Sequence, residues 1–292
     1  SYVRVLDWDE EEIDGGVAEE VTPTIDLSKY TDGETVNIAE DCRVIGDGNE
    51  YNLTLNVTDD AKVTFAAGAS GVKLAAPITV ADGKTLTLTI RDNVEHIVNG
   101  GISLGNGSNV IIEGERNKEN NKLTVTGTDG NAGIGANNGV TAGDITISNA
   151  RVEATGSSTS DESIDLVCGA GIGTSNGSMG NILIENSIIV AEGGYYEYET
   201  PAPAIGMGEK NGIMGDITIV DSEITATNNG EGFASVIGAI DNDGIGTMGD
   251  IVITNCELNL TMVITEADWY GAFIGPGLGG SSTQFNMGKI IF

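Results

Sequence analysis

The sequence predicts an all-β solenoid, in which short strands stack coil upon coil. Short apolar phrases recur through the second half of the chain, and the first half alternates apolar and polar residues between Asp-Gly and Asn-Gly turns. The 43 glycines and 5 prolines among 292 residues suit many tight turns and uninterrupted strands. Fixed phrases with variable loops between them are typical of repeat proteins, whose units bury their apolar faces against their neighbours.

Three phrases recur in a fixed order, and each has the length of a short strand. The first is Ile-Gly after a small or apolar residue, the second is Gly-Asp-Ile-Thr-Ile or a variant, and the third is a short alternating run. The first lies at 132–135, 170–173, 204–206, 236–238 and 273–275, the second at 143–147, 180–184, 215–219, 249–253 and 288–292, and the third at 152–154, 189–191, 224–226 and 258–260. We therefore predict three short strands per coil.

The same periodicity gives the predicted domain organisation. Residues 21–292 form a single solenoid domain, with short-loop coils over 21–130 and five degenerate repeats over 131–292, the last one truncated. Residues 1–20 carry eight carboxylates and are expected to form an acidic leader or an N-terminal cap. Because the last phrase stops inside a repeat, we expect either that the chain belongs to a larger protein or that something else covers its C-terminal edge. Strands in the first half are predicted at 35–39, 53–57, 62–65, 78–80, 86–90, 102–104, 110–113 and 123–126.

Alternation also predicts which residues stack inside the coils. The isoleucines of the second phrase should point inward, like upon like, and the methionines before its glycine should pack there too. The turn between the second and third phrases begins with a polar residue that tolerates the left-handed conformation, and its side chain should bond from coil to coil. These turn residues are Asn149, Asn186, Asp221 and Asn255; small residues follow them, the last being Cys256, which we interpret as a packing residue.

The three strands, the isoleucine stacks and the asparagine column resemble the right-handed parallel β-helix of the pectate-lyase-like superfold. The phrases Ala-Gly-Ile-Gly and Gly-Asp-Ile-Thr-Ile are similar to repeats of bacterial surface and secreted proteins described as adhesin-like or carbohydrate-binding. The resemblance covers residues 21–292 and implies an extracellular or cell-surface location in a bacterium. It implies the fold more strongly than an activity, because this superfold carries lyases, hydrolases, adhesins and structural stalks. Right-handed winding also follows from the general rule for parallel crossovers.

Charge and composition exclude several classes of partner. The 44 acidic and 13 basic residues give a net charge of −31, which repels nucleic acid, so no nucleic-acid partner is predicted. No run of 18 apolar residues occurs, so no membrane span is predicted. The cysteines Cys42, Cys168 and Cys256 are odd in number and far apart, and they fit neither a disulfide framework nor a zinc site.

Catalytic motifs of the resembling enzymes are absent from the sequence. It contains no Asn-Thr-Asp, Gly-His-Gly or Arg-Ile-Lys motif, and its one histidine, His96, is predicted to be a solvated or turn residue. The sequence therefore disfavours catalysis without deciding the question. A pair of carboxylates alone could hydrolyse a glycosidic bond, so a polysaccharide-degrading enzyme stays an alternative.

One column of acidic residues is the candidate metal site. Asp144, Asn181, Asp216 and Asp250 each open a second-phrase strand and should stack about 4.8 Å apart. They can either accept backbone N–H groups at their turns or bind Ca²⁺. The run from 241 to 244 resembles half of an EF-hand loop. We therefore predict Ca²⁺ as the one candidate cofactor, bound near Asp216, Asp241, Asp243 and Asp250.

The loops before the Ile-Gly phrases carry most of the aromatic residues of the second half. Coil stacking should bring these loops to one edge, where the rings either seal the coil or stack on sugar faces beside carboxylates. The candidate ligand-binding residues are Tyr195, Tyr196, Tyr198, Trp269 and Tyr270. The leading hypothesis is a non-catalytic extracellular binding or adhesion module whose ligand is carbohydrate, such as a cell-surface glycan. An inert structural stalk and the carboxylate-pair enzyme are the alternatives.

Overall fold

The computed structural model describes residues 22–66, 70–158, 168–195, 201–208, 212–230, 235–240, 246–263, 271–277 and 286–292. Within these residues, parallel strands form three long sheets and one short one. The fold is a right-handed parallel β-helix with three strands per coil, which confirms the predicted fold class. Each coil passes through sheet 1, sheet 2 and sheet 3 in that order and then returns to sheet 1 one coil further on.

The strands have the following bounds in the described residues. Sheet 1 contains Thr35–Ile38, Thr54–Val57, Ile78–Val80, Ile102–Leu104, Ile134–Ala136, Ile172–Thr174, Ile205–Met207, Ser235–Ala239 and Ala272–Pro276. Sheet 2 contains Thr24–Asp26, Cys42–Ile45, Ala61–Phe65, Thr85–Ile90, Asn109–Glu113, Ile145–Ser148, Ile182–Glu185, Ile217–Val220, Ile251–Thr254 and Ile290–Ile291. Sheet 3 contains Glu50–Tyr51, Lys73–Leu74, Glu95–Asn99, Lys122–Thr126, Arg151–Thr155, Ile188–Glu192, Glu223–Asn228 and Glu257–Met262. The short sheet contains Ile213–Met214, Thr247–Met248 and Asn286–Met287, and a 3₁₀ turn spans Leu27–Lys29.

The predicted strands of the first half all occur, with bounds within one residue of those expected. Five further strands of that half were not predicted, because runs of two to five residues with a weak pattern take strand geometry from their neighbours rather than from their own propensity. They are Thr24–Asp26, Cys42–Ile45, Glu50–Tyr51, Lys73–Leu74 and Glu95–Asn99. The short sheet was also not predicted, and it pairs the residues just before the Gly-Asp phrases.

The interior of the coils is a stack of aliphatic side chains in register. In sheet 2, Ile147 pairs with Ile184, Ile184 with Ile219 and Ile219 with Ile253. All four are buried, which confirms the predicted inward column for these coils. The same prediction is wrong for Ile290 and Phe292, which are 41% and 78% exposed because no described coil covers the last strand of the sheet. Burial of each such side chain contributes roughly 1.5–3 kcal/mol, so the stack is the main source of stability. Met179, Met214 and Met248 are buried in the same core, which confirms that these methionines serve packing.

The turn between sheets 2 and 3 carries the predicted polar column. Asn149, Asn186, Asp221 and Asn255 have φ angles of 49°, 46°, 52° and 52°, the left-handed conformation expected for them. The amide of Asn186 donates to Asn149 Oδ1 at 3.2 Å, and the amide of Asn255 donates to Asp221 Oδ1 at 2.5 Å. The side chains therefore bond from coil to coil, as predicted.

The glycine of the Ile-Gly phrase is required by the close approach of successive coils in sheet 1. Gly206 has a φ of 140°, and a methyl group on it would lie 1.8 Å from the carbonyl oxygen of Gly238 in the next coil. Gly135 and Gly173 have nearly the same φ and the same clash. Both the positive φ and the short distance to the next coil exclude a side chain. The glycine therefore recurs because the backbones of successive coils approach closely.

Candidate functional site

The candidate aromatic edge is the corner at which each coil passes from sheet 3 to sheet 1. Ile172, Ile205, Ile237 and Ile274 pair in register in sheet 1, and in sheet 3 Glu192 pairs with Thr227 and Asn228 with Met262. The segments 193–204, 229–234 and 263–271 therefore connect strands that stack in consecutive coils. Of the five predicted ligand-binding residues, Tyr195 is described. The other four, Tyr196, Tyr198, Trp269 and Tyr270, belong to these segments and lie outside the described residues.

Tyr195 lies at this edge with its side chain partly exposed. Its exposed fraction is 37%. A methyl group on Gly230, in the next coil, would lie 2.5 Å from Tyr195 Cδ2 and 2.4 Å from Pro201 Cβ. The absence of a side chain at Gly230 therefore gives the ring room to lie across the boundary between two coils. The chain beside it is fixed by the N–H of Ala202, which donates to the carbonyl oxygen of Gly194 at 3.1 Å.

The acidic column has a structural role that the structure defines in detail. Asp144 Oδ1 accepts the backbone N–H of Asn181 in the next coil at 2.6 Å, and the same bond joins each later pair. Asp216 Oδ1 accepts from Asp250 at 2.7 Å, and Asp250 Oδ1 accepts from Lys289 at 2.6 Å. In each later coil, a glycine precedes the residue that donates this N–H. A methyl group on that glycine would lie 2.0–2.3 Å from the accepting oxygen of the coil before, which explains the glycine of the Gly-Asp and Gly-Asn phrases.

The predicted calcium ligands are only partly within the described residues. Asp216 and Asp250 lie in the column, where one oxygen of each already accepts a backbone N–H. Asp241 and Asp243 lie outside the described residues. Among the residues that are described, no three or more His, Cys, Asp or Glu side chains are placed to hold a metal ion. The calcium site therefore stays a prediction that depends on the 241–244 run.

His96 is not the solvated turn residue that the sequence predicted. It lies in the strand Glu95–Asn99 with its side chain buried, at the position that Leu123 occupies in the next coil. Its Nδ1 accepts the backbone N–H of Val72 at 3.1 Å, and its Nε2 lies 3.0 Å from the carbonyl oxygen of Arg91. Burial lowers the pKa of His96, so the neutral ring is favoured. The prediction failed because the ring replaces an aliphatic residue in the inward column while satisfying two backbone groups.

The cysteines also have structural surroundings. Cys42 and Cys168 are buried, and Cys256 packs on the core while its thiol donates to the carbonyl oxygen of Thr254 at 3.1 Å. Burial, with smaller effects from Asp41 and Glu40, raises the pKa of the Cys42 thiol to about 11. A thiol with so high a pKa is a poor nucleophile at neutral pH.

A polar groove that the sequence analysis did not foresee lies at the corner between sheets 2 and 3. Residues 114–121 cross this corner as a strap, and Arg116 of the strap donates to Asn186 Oδ1 at 2.9 Å and to Glu223 Oε1 at 2.7 Å. The strap forms one wall of the groove. The only sequence signal was the charge-rich run from 113 to 122, which could not reveal contacts with residues 70 and 107 positions away.

Comparisons with protein-family models, with curated proteins and with solved structures found no match. The class of protein is thus defined by the fold: a parallel β-helix whose coils are joined by polar side-chain columns. In the part of the chain that the structure describes, no helix has the length and apolar character needed to cross a membrane.

Proposed function

We propose that this chain is a non-catalytic module that binds carbohydrate outside the cell, as part of a bacterial surface or secreted protein. The observation that carries the proposal is the register at the sheet 3 to sheet 1 corner. It stacks the strands that follow three aromatic-bearing stretches of the sequence, and the partly exposed ring of Tyr195 lies beside Gly230 at the same corner. Exposed aromatic rings at a spacing set by a rigid scaffold suit stacking on the C–H faces of sugars.

The surroundings of the other candidate residues favour binding over catalysis. His96 uses both ring nitrogens in backbone contacts, and Asp216 and Asp250 each use an oxygen to join two coils. These groups stabilise the scaffold through backbone contacts, which favours a structural role for them over a catalytic one.

The experiment is a glycan array with the wild-type chain and three variants. We expect wild-type binding to a limited set of glycans, with at least about tenfold weaker binding for Tyr195→Ala and for Trp269→Ala, since a stacked ring contributes on the order of 1.4 kcal/mol. Tyr30→Ala is the matched control, because Tyr30 has the same exposed fraction of 37% and lies beside the 3₁₀ turn of the first coils. Equal binding by all four proteins would contradict the aromatic edge.

A structural stalk is the second candidate, and the polar columns favour it. Side chains at two corners of the coil are engaged in bonds between coils, as a rigid support requires. Absence of any hit on the glycan array would support the stalk. Release of reducing sugar from a polysaccharide panel would instead support the carboxylate-pair enzyme.

A further inference from the structure

The groove between sheets 2 and 3 has the dimensions of a ligand site. Its volume is about 650 Å³, within the range of roughly 300–1,000 Å³ that small-molecule sites occupy. It lies at a different corner of the coil from the aromatic edge. Its lining includes Arg91, Asp92, Glu113, Glu115, Lys118 and Ser148.

The floor of the groove is rigid because it is part of sheet 2. Thr89, Glu113 and Ser148 are neighbours in one outward column of that sheet, on three successive strands. The inward residues beside them, such as Ile112 and Ile147, are buried in the core. The floor is therefore preformed.

The two walls of the groove are also fixed. One wall is the turn at 91–93, in which Asp92 and Asn93 have φ angles of 74° and 51°, an uncommon conformation for two consecutive residues other than glycine. The other wall is the strap, whose Arg116 N–H donates to the carbonyl oxygen of Asn149 at 2.8 Å. The two walls meet where Asn93 Oδ1 accepts the N–H of Asn120 at 3.2 Å.

The lining presents hydrogen-bond donors and acceptors side by side, with nearly balanced charge. Lys118 pairs with Glu115 at 2.5 Å, and Glu113 accepts from Thr89 and from Lys62, each at 3.5 Å. Arg91 lines the groove, is exposed, and makes no ion pair with any described residue. A sugar hydroxyl both donates to a carboxylate and accepts from a guanidinium or amide, so a polyhydroxyl ligand matches this lining.

We infer that this groove is a second binding site, and that its ligand is a short neutral saccharide. An anionic ligand is disfavoured by the three carboxylates of the lining and by the net charge of −31. A bare cation is disfavoured by the guanidinium of Arg91 and the ammonium group of Lys118. The aromatic edge of the proposed function plays no part in this inference.

The test follows backbone amide resonances of the whole isotope-labelled chain as sugars are added. The probes are glucose, galactose, mannose, N-acetylglucosamine and the disaccharides lactose, maltose and cellobiose, and CaCl₂ is titrated separately. We expect one or more sugars to shift the amides of residues 89–93, 113–118 and 148–149 together with a single dissociation constant. Absence of these shifts with every sugar, up to its solubility limit, would overturn the inference. Shifts of the same amides with CaCl₂ alone would also overturn it, because the groove would then be a cation site.

Two variants and two matched controls locate the binding. Ser148→Leu fills the floor and Arg91→Ala removes the exposed guanidinium, and each should weaken binding at least about tenfold through lost hydrogen bonds. Thr254→Leu changes the same outward column three coils away from Ser148, and Arg43→Ala removes another exposed arginine with no ion pair among the described residues. Both controls should bind as the wild type does. Unchanged binding by Ser148→Leu and Arg91→Ala would contradict the inference.

The variant Tyr195→Ala separates this inference from the proposed function. If it keeps the amide shifts at the groove, the second site is supported whether or not the aromatic edge binds glycans. If it abolishes those shifts while Ser148→Leu keeps full sugar binding, the groove is not a site and the aromatic edge is the binding surface.

Discussion

The coils before about residue 127 and those after it share three sheets but differ in how successive coils meet in sheet 1. In the first half, the outward position carries side chains: Asn56 donates to Asn37 Oδ1 at 2.8 Å and Thr79 donates to Asn56 Oδ1 at 2.9 Å. In the second half, the same position is glycine, and backbone approaches backbone.

The two halves also differ in period but not in their interior. Leu55 pairs with Ile78, whereas Ile134 pairs with Ile172, so the coil lengthens from 23 to 38 residues between these pairs, within the usual range for solenoids. Leu88, Ile112, Ile147 and Ile184 nevertheless form one continuous inward column through both halves. The comparison shows that the inward column defines the coil. The outward position of sheet 1 can join successive coils either through side-chain hydrogen bonds or through close backbone approach.

The largest expected effect comes from placing a side chain in the glycine column. Gly206→Ala should lower the free energy of unfolding by more than about 4 kcal/mol, or prevent folding, because the new methyl group meets the carbonyl oxygen of Gly238. Thr79→Ala at the equivalent position of the first half should cost about 1 kcal/mol, the value of one hydrogen bond. Urea denaturation measures both. Equal costs would show that the two halves do not differ in this way.

Truncation of the inward column should affect the two halves alike. Leu88→Ala and Ile184→Ala should each lower the free energy of unfolding by roughly 2–5 kcal/mol, through lost burial and a cavity. The control Leu183→Ala, on the outward side of the same strand as Ile184, should cost much less, because Leu183 is only partly buried. A large cost in one half only would refute a shared interior.

The buried histidine should make the first half sensitive to acid. The folded-state pKa of His96 lies below its unfolded value of about 6.5, so the unfolded chain binds the proton more tightly. Stability is therefore full above about pH 6.5 and falls as the pH drops below it, by at most about 1.4 kcal/mol per pH unit. His96→Leu should be less stable at neutral pH, because Val72 N–H loses its acceptor. Between pH 7.5 and 5 the melting temperature of the variant should fall less than that of the wild type. An equal fall in both proteins would contradict the assignment of the acid sensitivity to His96.

A smaller effect is expected in the acidic column of the second half. Asp216→Ala removes the acceptor of the Asp250 N–H and should cost about 1 kcal/mol. Asp216→Asn keeps an accepting oxygen, as Asn181 does in the coil before it, and should cost less than Asp216→Ala. Thermal melts without added calcium measure both, and a reversed order would contradict a purely structural role.

The calcium prediction also concerns Asp216, and it is tested separately. If Ca²⁺ binds near Asp216, Asp241, Asp243 and Asp250, added CaCl₂ should raise the melting temperature of the wild type and raise it less for Asp216→Asn. An unchanged melting temperature and no heat in a calcium titration would end this prediction.

The sequence by itself determined the fold class, the inward isoleucine column and the left-handed turn residues, because each depends on a local pattern that repeats. It did not explain why Ile-Gly and Gly-Asp recur, since the reason is the distance to the next coil: the carbonyl of Gly238 beside Gly206, and the Asp216 oxygen beside Gly249. Only the tertiary structure showed that His96 is buried in the core and that Arg116 donates hydrogen bonds to Asn186 and Glu223. Those contacts join residues that are distant in sequence and adjacent through coil stacking, so no local pattern contains them.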